Sequence, residues 1–322
     1  ASSLVVKYHK RGDPKKCLQV EKEDVDITPG QGEVAFKMMA SPINPSDLNM
    51  IEGTYDILPE LPAVGGNEGV AEVTAVGSGV SRLNVGDWVV PATPGFGNIG
   101  TWREIGKASE SNFLKVPNVL PKEYAACAAV NPCTALHLLS NFVELKEGDV
   151  VIQNGSTSVV GQCVTQIAKA KGIRTINVFR RRPQFEYLMQ HTKDLGGDIV
   201  CFEDYLNGWQ YKRLMADLPK PKLALDCAGG VSSTQLARAL GPGGVMVNYG
   251  GMSKKPVTLP TSSLLHNDIS VKGFWLTKWN QENSLEARQA VLDEVCKMMT
   301  DDKLKIWLEH HPMFDAEFSL KK

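Results

Sequence analysis

Residues 149–182 have the sequence DVVIQNGSTSVVGQCVTQIAKAKGIRTINVFRRR. Its first part, Asp149–Gln153, is a short apolar run that predicts a buried parallel strand, and the turn residues Asn154–Ser158 end it. Apolar residues then recur at spacings of three and four from Val160 to Ala168, which predicts an amphipathic helix. The β-branched run Arg174–Phe179 predicts a second strand. The stretch therefore predicts the βαβ unit of a nucleotide-binding fold.

The residues after the second predicted strand indicate which nucleotide binds. An Asp or Glu at this place would accept hydrogen bonds from the ribose hydroxyls of NAD, whereas this chain has Arg180, Arg181 and Arg182. A guanidinium group matches a 2′-phosphate, so we expect NADP(H). The phosphate turn keeps only Gly161 of the usual three glycines, and an ordinary βα turn followed by solvated arginines remains the alternative on this unit alone.

Length and composition limit the class of protein. At 322 residues the chain predicts two domains. A hydrophobic fraction of 43%, a charged fraction of 22% and a net charge of −1 are ordinary for a globular protein and indicate neither nucleic acid nor membrane binding. We find no apolar run near the ~20 residues that span a bilayer. Seven scattered cysteines without a C-x-x-C pair indicate reduced thiols.

Periodicity divides the chain near residue 125. Before it, strand-like runs alternate with glycine-rich turns, which predicts a small, partly open β-barrel. After it, four further strands are expected beyond the first βαβ unit, at Asp198–Cys201, Leu223–Cys227, Val245–Tyr249 and Ser270–Phe274. Six strands of this kind make a Rossmann-type, doubly wound parallel sheet, so the fold class is α/β. The pattern from Leu285 to Leu308 predicts a helix.

Seven sequence words carry a family resemblance, in order from about residue 30 to 280. They are Ser41–Asp47, Leu58–Gly69, Val130–Ala135, Val151–Asn154, Arg174–Val178, Tyr249–Met252 and Gly273–Leu276. The chain resembles the medium-chain dehydrogenase/reductase superfamily and, within it, the mitochondrial trans-2-enoyl-thioester reductases of fatty acid synthesis. The resemblance implies a GroES-like catalytic domain over residues 1–125, an NADP-binding Rossmann domain over 126–272 and a return segment over 273–322.

The resemblance also implies that no metal takes part. The zinc alcohol dehydrogenases of the superfamily need a Cys, a His and a second Cys around an open metal position. Here Asn67 replaces the His, Pro45–Ser46 occupies the region of the first Cys, and only Cys133 remains. A hydride-transfer enzyme of this kind must find its electrophile elsewhere.

Two residues of the first domain are the catalytic candidates. A tyrosine hydroxyl, whose intrinsic pKa is about 10, stays protonated and can donate to an enolate oxygen or, through solvent, to carbon. Tyr55 matches the catalytic tyrosine of the family; from sequence alone, a half-buried loop tyrosine is the alternative. Asn44 is expected either to orient the substrate or the tyrosine, or to cap the following helix.

The remaining site residues are implied by the resemblance as contacts of NADPH. Asn131 would touch the nicotinamide end, Thr157, Ser158, Val159 and Val160 the pyrophosphate, and Arg180 and Arg182 the 2′-phosphate beside Arg181. The cofactor and an acyl groove would be lined by Tyr249, Gly250, Gly251, Met252, Phe274, Trp275, Leu276 and Thr277. For Phe274 and Trp275, packing in the core is the alternative to an acyl pocket.

The expected partner is an enoyl-CoA or an enoyl-acyl-carrier-protein substrate, and the expected assembly is a homodimer without nucleic acid or membrane. We expect location in the mitochondrial matrix, with the presequence absent from this chain. Relatives continue with a helix and a last strand that returns to the barrel, whereas this chain stops at Glu317–Lys322. We therefore expect an open barrel edge and weakened stability and NADPH binding.

Two other functions remain open at this stage. An NADPH quinone or enone reductase of the same superfamily would share Asn44, Tyr55 and the missing zinc ligands. A catalytically impaired isoform that only binds NADP would share the cofactor residues.

Overall fold

The computed structural model describes residues 1–314 of the chain. They form two compact units, of which unit 1 comprises residues 1–130, 277–300 and 307–314, and unit 2 comprises residues 131–276 and 301–306. The chain thus passes from one unit to the other four times within the described residues. The expectation about the tail Glu317–Lys322 lies outside them.

Unit 1 is built on two antiparallel sheets. Its strands are β1 Ser2–Tyr8, β2 Leu18–Asp24, β3 Glu33–Ala40, β4 Ala63–Val64, β5 Val70–Val76, β6 Trp88–Pro91, β7 Ile105–Ser109 and β8 Phe113–Val116. One sheet has the order β2-β1-β4 and the other β7-β3-β5-β6-β8. This strand content agrees with the partly open β-barrel that the turn spacing predicts.

An aromatic cluster forms the core of the larger sheet. The ring centroids of Phe36 and Phe96 lie 4.7 Å apart, and those of Phe96 and Phe113 lie 4.8 Å apart. All three side chains are buried, and apolar residues of β3, β5 and β6 surround them. Because side chains alternate between the faces of a strand, the apolar face of this sheet is buried and supports the loops that leave it.

Short helices and one long helix complete unit 1. They are α1 Pro14–Cys17, α2 Pro45–Glu52, α3 Gly95–Asn98, α4 Lys122–Ala126, α11 Leu276–Glu282 and α12 Leu285–Thr300. Helix α12 buries Leu292, Val295, Cys296 and Met299, at the spacing of one helical face. Its Gln289 side chain accepts from the Lys115 N–H at 3.0 Å and donates to the Lys115 carbonyl at 2.8 Å. The helix therefore covers part of the edge strand β8.

Unit 2 contains a parallel sheet of six strands, all within described residues. The strands are β9 Val150–Gln153, β10 Arg174–Phe179, β11 Ile199–Phe202, β12 Leu223–Asp226, β13 Val245–Asn248 and β14 Ser270–Gly273. They lie in the order β11-β10-β9-β12-β13-β14, and every pair is parallel. The order reverses at β9, which makes the sheet doubly wound and confirms the predicted fold class.

Unit 2 has six helices within the described residues. They are α5 Asn131–Ser140, α6 Val159–Ala170, α7 Phe185–Asp194, α8 Trp209–Leu214, α9 Gly230–Ala239 and α10 Thr261–Leu265. Of these, α6, α7 and α9 pack on this sheet. Among residues 1–314, none of the helices combines the length and the apolarity that crossing a bilayer demands.

The predicted helix Leu285–Leu308 is wrong in its last third. Helix α12 ends at Thr300, and Asp302 has a left-handed backbone with φ 57°. Leu304 and Ile306 are buried in the extended segment that follows. This segment belongs to unit 2, where the Gln166 amide donates to the Lys305 carbonyl at 2.8 Å and accepts from the Lys305 N–H at 2.8 Å. Leu304 and Ile306 alternate with exposed residues, which is the period of an extended segment and not of a helix.

Candidate active site

In unit 1 the candidate site is built around α2. Asn44 occupies the N-cap position, and its main-chain N–H donates to Asp47 Oδ2 at 2.7 Å. Pro45 follows at the first helical position, where its missing N–H costs nothing. The helix ends at Gly53, whose φ of 83° requires glycine, and the Thr54 N–H bonds back to Asn49 at 2.9 Å. Tyr55 follows directly and is half-buried, so the C-terminal end of α2 determines the position of its main chain.

Two fully buried carboxyl groups lie at the start of α2. Glu68 accepts from Asn44 Nδ2 at 2.8 Å and from the Val130 N–H at 2.9 Å. Asp47 accepts from the Asn67 N–H at 2.9 Å and from Asn67 Nδ2 at 2.6 Å. Burial raises the pKa of Asp47 to about 6 and that of Glu68 to about 8, and the hydrogen bonds from Asn44 oppose the rise in both. Asn44 therefore occupies the capping position and is also buried, with 7% of the residue exposed.

The residues of unit 1 do not suit zinc. Asn67 stands where the zinc dehydrogenases have a histidine, and its amide nitrogen is used by Asp47 and by Met50 Sδ at 3.2 Å. An amide is a poor replacement for thiolate or imidazole ligands. Within residues 1–314, no three His, Cys, Asp or Glu side chains gather in a cluster that could hold a metal ion. We therefore assign no chemical step to a metal.

In unit 2 the predicted pyrophosphate residues form the start of α6. Ser158 caps the helix by accepting from the Gly161 N–H at 3.1 Å, while Thr157 precedes it and Val160 is buried. A Cβ on Gly161 would lie 2.6 Å from the Gly155 carbonyl oxygen, so glycine is required where the helix passes the turn. A helix N-terminus reached through a tight turn is a ready site for an anion. The arrangement fits a dinucleotide phosphate.

The three arginines after β10 have different surroundings, although all are exposed. Arg182 Nη2 donates to Thr157 Oγ1 at 2.7 Å, so its charge lies at the phosphate turn. Arg181 Nε donates to Asp204 at 3.0 Å, and its guanidinium lies 4.1 Å from the Phe202 ring centroid. The hydrogen bond with Asp204 raises the pKa of Arg181. Arg181 is thus held against β11, whereas Arg182 is held at the turn.

Asp226, at the carboxyl end of β12, connects the loops of the parallel sheet. Its Oδ1 accepts from Asn154 Nδ2 at 2.6 Å and from the N–H groups of Ala228 and Gly229 at 3.0 and 3.1 Å. Its Oδ2 accepts from Asn248 Nδ2 at 2.9 Å. One buried carboxylate therefore fixes the turn after β9, the turn after β12 and the end of β13.

The predicted run Tyr249–Met252 follows β13. Burial, and then the neighbouring Cys227 thiol, raise the pKa of the Tyr249 hydroxyl. A Cβ on Gly250 would lie 3.0 Å from the Cys227 carbonyl oxygen, whereas a Cβ on Gly251 would meet nothing within 4 Å, and the φ of Gly251 is not positive. The fold therefore explains glycine at 250 but not at 251, and a ligand that approaches the backbone would explain the latter.

The last predicted group, Phe274–Thr277, is divided between the two units. Phe274 is half-buried, and its ring centroid lies 5.4 Å from that of His137 and 5.9 Å from that of Phe142. Phe274, Trp275 and Leu276 belong to unit 2, but Thr277 belongs to unit 1. Asn131 is the first residue of α5.

Three acidic residues of these sites were missed as site residues. The Asn44–Asp47 spacing is a capping-box signal that could have indicated Asp47. Asp226 ends an apolar strand, where a polar residue marks the ligand-binding edge of a parallel sheet. For Glu68, only the zinc-dehydrogenase word around it was recognised, and no local pattern indicates its pairing with Asn44, 24 residues away.

The fold and these two groups of residues define a dehydrogenase of the medium-chain type. The alcohol dehydrogenase GroES-like domain family matches residues 30–118, and the zinc-binding dehydrogenase family matches residues 159–295. The chain is 48% identical to the mitochondrial enoyl-[acyl-carrier-protein] reductase of Rattus norvegicus over 92% of this chain and 79% of that protein.

Two solved structures are similar as well. The mitochondrial 2-enoyl thioester reductase Etr1p/Etr2p heterodimer from Candida tropicalis has a TM-score of 0.87 and 34% identity, covering 98% of this chain and 95% of that one. The complex of Etr1p with NADP and crotonyl-CoA has a TM-score of 0.86 and 34% identity, covering 100% and 96%. This chain belongs to the family of the mitochondrial enoyl-[acyl-carrier-protein] reductases, which confirms the resemblance seen in its sequence.

Proposed function

We propose that this chain catalyses the NADPH-dependent reduction of trans-2-enoyl thioesters, carried by CoA or by acyl carrier protein, to acyl thioesters. The observation that carries the proposal is the pair of arginines, Arg180 and Arg182, where an NAD enzyme has an acid, with Arg182 bonded to Thr157 at the phosphate turn. Family membership and the complex of the related Etr1p with NADP and crotonyl-CoA support it.

The cofactor side of the reaction rests on unit 2. The start of α6 and its Ser158 cap would hold the pyrophosphate, Arg180 and Arg182 the 2′-phosphate, and Asn131 the nicotinamide end. The open space at Gly251 fits the approach of the same ligand. Bound NADPH supplies the hydride that reduces C3 of the enoyl group.

The substrate side rests on unit 1. Hydride addition at C3 moves the electron pair of the double bond toward the thioester and leaves an enolate, which needs a donor at its oxygen and a proton at C2. The Tyr55 hydroxyl donates a hydrogen bond to the enolate oxygen, and the C2 proton comes from this hydroxyl or from solvent. Where the hydroxyl gives up its own proton, solvent returns one to the tyrosinate. Asn44 acts on α2 and on the chain that leads to Tyr55, because its N-cap position and its bond to Glu68 tie it to the protein.

The test is NADPH oxidation with crotonyl-CoA and, separately, with a quinone as the acceptor. We expect rapid oxidation with crotonyl-CoA and conversion to butyryl-CoA. Faster turnover of the quinone would favour a quinone or enone reductase. Tight NADPH binding without turnover of any acceptor would favour a chain that only binds NADP.

We further propose that the protein acts in the mitochondrial matrix as a homodimer. The dimer is supported by β14, an edge strand of the sheet in the described residues, whose four residues are all exposed. Val271 on this strand is 37% exposed, and an unpaired edge strand favours pairing with another chain. Leu265 of α10 adds an exposed apolar side chain, at 74%. Sedimentation of the wild type and of Val271→Lys tests this: a monomer in both would contradict it.

A further inference from the structure

Glu68 is an acidic residue that the proposed reaction does not use, yet it lies in the centre of the polar cluster of unit 1. Its side chain is fully buried, and its two oxygens accept from Asn44 Nδ2 and from the Val130 N–H. Val130 immediately precedes Asn131, the predicted nicotinamide contact, in the chain. A single carboxyl group therefore fixes both the cap of α2 and the main chain just before Asn131.

We propose that Glu68 is a positioning residue for Tyr55, acting through Asn44 and the cap of α2. The proposal rests on the proposed function, since it assigns Glu68 a part in the same reaction. Glu68 makes no contact with the reacting atoms in this proposal. Its effect is on the orientation of the helix whose exit carries the catalytic hydroxyl.

Energetics favours a role in the site over a role in stability. Burying a carboxylate costs several kcal/mol, and replacing buried ionic groups by apolar side chains is often neutral or stabilising. Unit 1 nevertheless buries Glu68 together with Asp47, whose charge further disfavours ionisation of Glu68. Acidic groups whose pKa is strongly perturbed concentrate at functional sites.

The geometry explains how the effect reaches Tyr55. Asn44 is held at three points of the cluster: its amide nitrogen bonds Glu68, its N–H bonds Asp47, and its carbonyl accepts from the Asp47 N–H at 3.0 Å. Asp47 also holds Asn67. Helix α2 therefore starts from a fixed cap, and eight residues later it delivers the chain to Gly53 and Tyr55. Misplacement of a catalytic group by about 1 Å can cost on the order of 10²-fold in rate.

The discriminating variant is Glu68→Gln, which preserves volume but replaces one acceptor oxygen with a donor. The Asn44 amide and the Val130 N–H both donate to Glu68, whose two oxygens can accept with or without a proton on the carboxyl group. The amide nitrogen of Gln cannot accept, so one of the two donors must lose its acceptor. Glu68→Asp retains two acceptors on a shorter side chain. The matched control is Glu104→Gln: Glu104 also accepts from a main-chain N–H, that of Leu4 at 2.8 Å, and belongs to neither group of site residues.

Each variant is measured for kcat, for KM of crotonyl-CoA, for NADPH affinity by fluorescence and for Tm. We expect Glu68→Gln to lower kcat on the order of 10²-fold, with NADPH affinity within about threefold. Glu68→Asp should fall between this variant and the wild type, and Glu104→Gln should keep the wild-type kcat. If Glu68→Gln does not fold, the Glu68→Asp result decides, and full activity in it overturns the proposal.

A double variant separates positioning from a general loss of structure. If Glu68 acts through Tyr55, adding Glu68→Gln to Tyr55→Phe should lower kcat by no more than about threefold further, because coupled residues are not additive. An equal loss in both backgrounds overturns the proposal, as does an unchanged kcat in the single variant. A wild-type chain that reduces no enoyl thioester contradicts the proposed function instead, and the same comparison is then made with the quinone.

Discussion

The two groups of candidate residues, one in each unit, consist of different kinds of side chain. In unit 2 the predicted phosphate contacts are exposed arginines and main-chain groups of one continuous βαβ stretch, residues 149–182. In unit 1 the residues around α2 are buried acids and amides whose partners lie 20 to 24 residues apart in the chain. Recognition of a phosphate needs charge that water can reach, whereas a fixed catalytic group needs bonds from which water is excluded.

The largest effect is expected in unit 1, from removing the hydroxyl group of residue 55. We expect Tyr55→Phe to lower kcat by roughly 10²- to 10⁴-fold, the usual contribution of a positioned proton donor. NADPH affinity should stay unchanged, because all the predicted cofactor contacts except Thr277 belong to unit 2. Steady-state rates at saturating crotonyl-CoA and fluorescence titration with NADPH check this, and a rate loss below about threefold would assign the donor role to another group or to water.

In unit 2, removing the charge of the predicted 2′-phosphate contacts should weaken NADPH binding. Each charge-assisted bond to phosphate contributes about 1.5–3 kcal/mol, so the double variant Arg180→Ala, Arg182→Ala should bind NADPH at least ~100-fold more weakly. NADH affinity should hardly change, since NADH lacks the 2′-phosphate. Arg181→Ala is the matched control and should affect NADPH binding less, because Arg181 is held by Asp204 and Phe202. Parallel weakening of both cofactors would contradict the NADP assignment.

The buried acid predicts how stability depends on pH. Glu68 has a folded-state pKa of about 8, and its unfolded value is about 4.3. Between these values the folded state holds a proton that the unfolded state has lost, so stability falls as pH rises, by up to about 1.4 kcal/mol per pH unit. Asp47, whose pKa is raised to about 6, adds to the slope below that pH.

Glu68→Gln should therefore flatten the decline in unfolding free energy between about pH 6 and 8. Urea denaturation at several pH values measures it, with Glu104→Gln as the control. The same slope in the variant and in the wild type would mean that Glu68 does not take up this proton.

The smallest expected effect compares two adjacent glycines. Gly251→Ala has open space around its Cβ, so we expect an unchanged Tm and NADPH affinity lower by about threefold to tenfold, roughly 0.7–1.4 kcal/mol. Gly250→Ala should lower Tm, since its Cβ would press on the Cys227 carbonyl. Unchanged NADPH affinity in Gly251→Ala would show that no ligand approaches this backbone.

How well the sequence predicts each group of residues depends on whether their interactions are local or distant in the chain. The strand Arg174–Phe179 and the start of α6 have the predicted limits or differ by a residue or two, because local periodicity and turn residues specify them. The pairing of Glu68 with Asn44 depends on tertiary contact, and no spacing rule indicates it. The different surroundings of Arg181 and Arg182 follow from Asp204 and Thr157, which lie on other segments.

The paired bonds between Gln166 and Lys305 have a consequence for dissecting the protein into fragments. Residues 301–306 lie far from the rest of unit 2 in sequence, yet Leu304 and Ile306 are buried and the main chain of Lys305 satisfies the buried amide of Gln166. A fragment that stops at residue 276 would expose the apolar surface beneath these two side chains and leave that amide unpaired. Unit 2 is thus discontinuous in the sequence. A shortened chain in which residues 131–276 are joined directly to residues 301–306 is the smallest form we expect to fold alone.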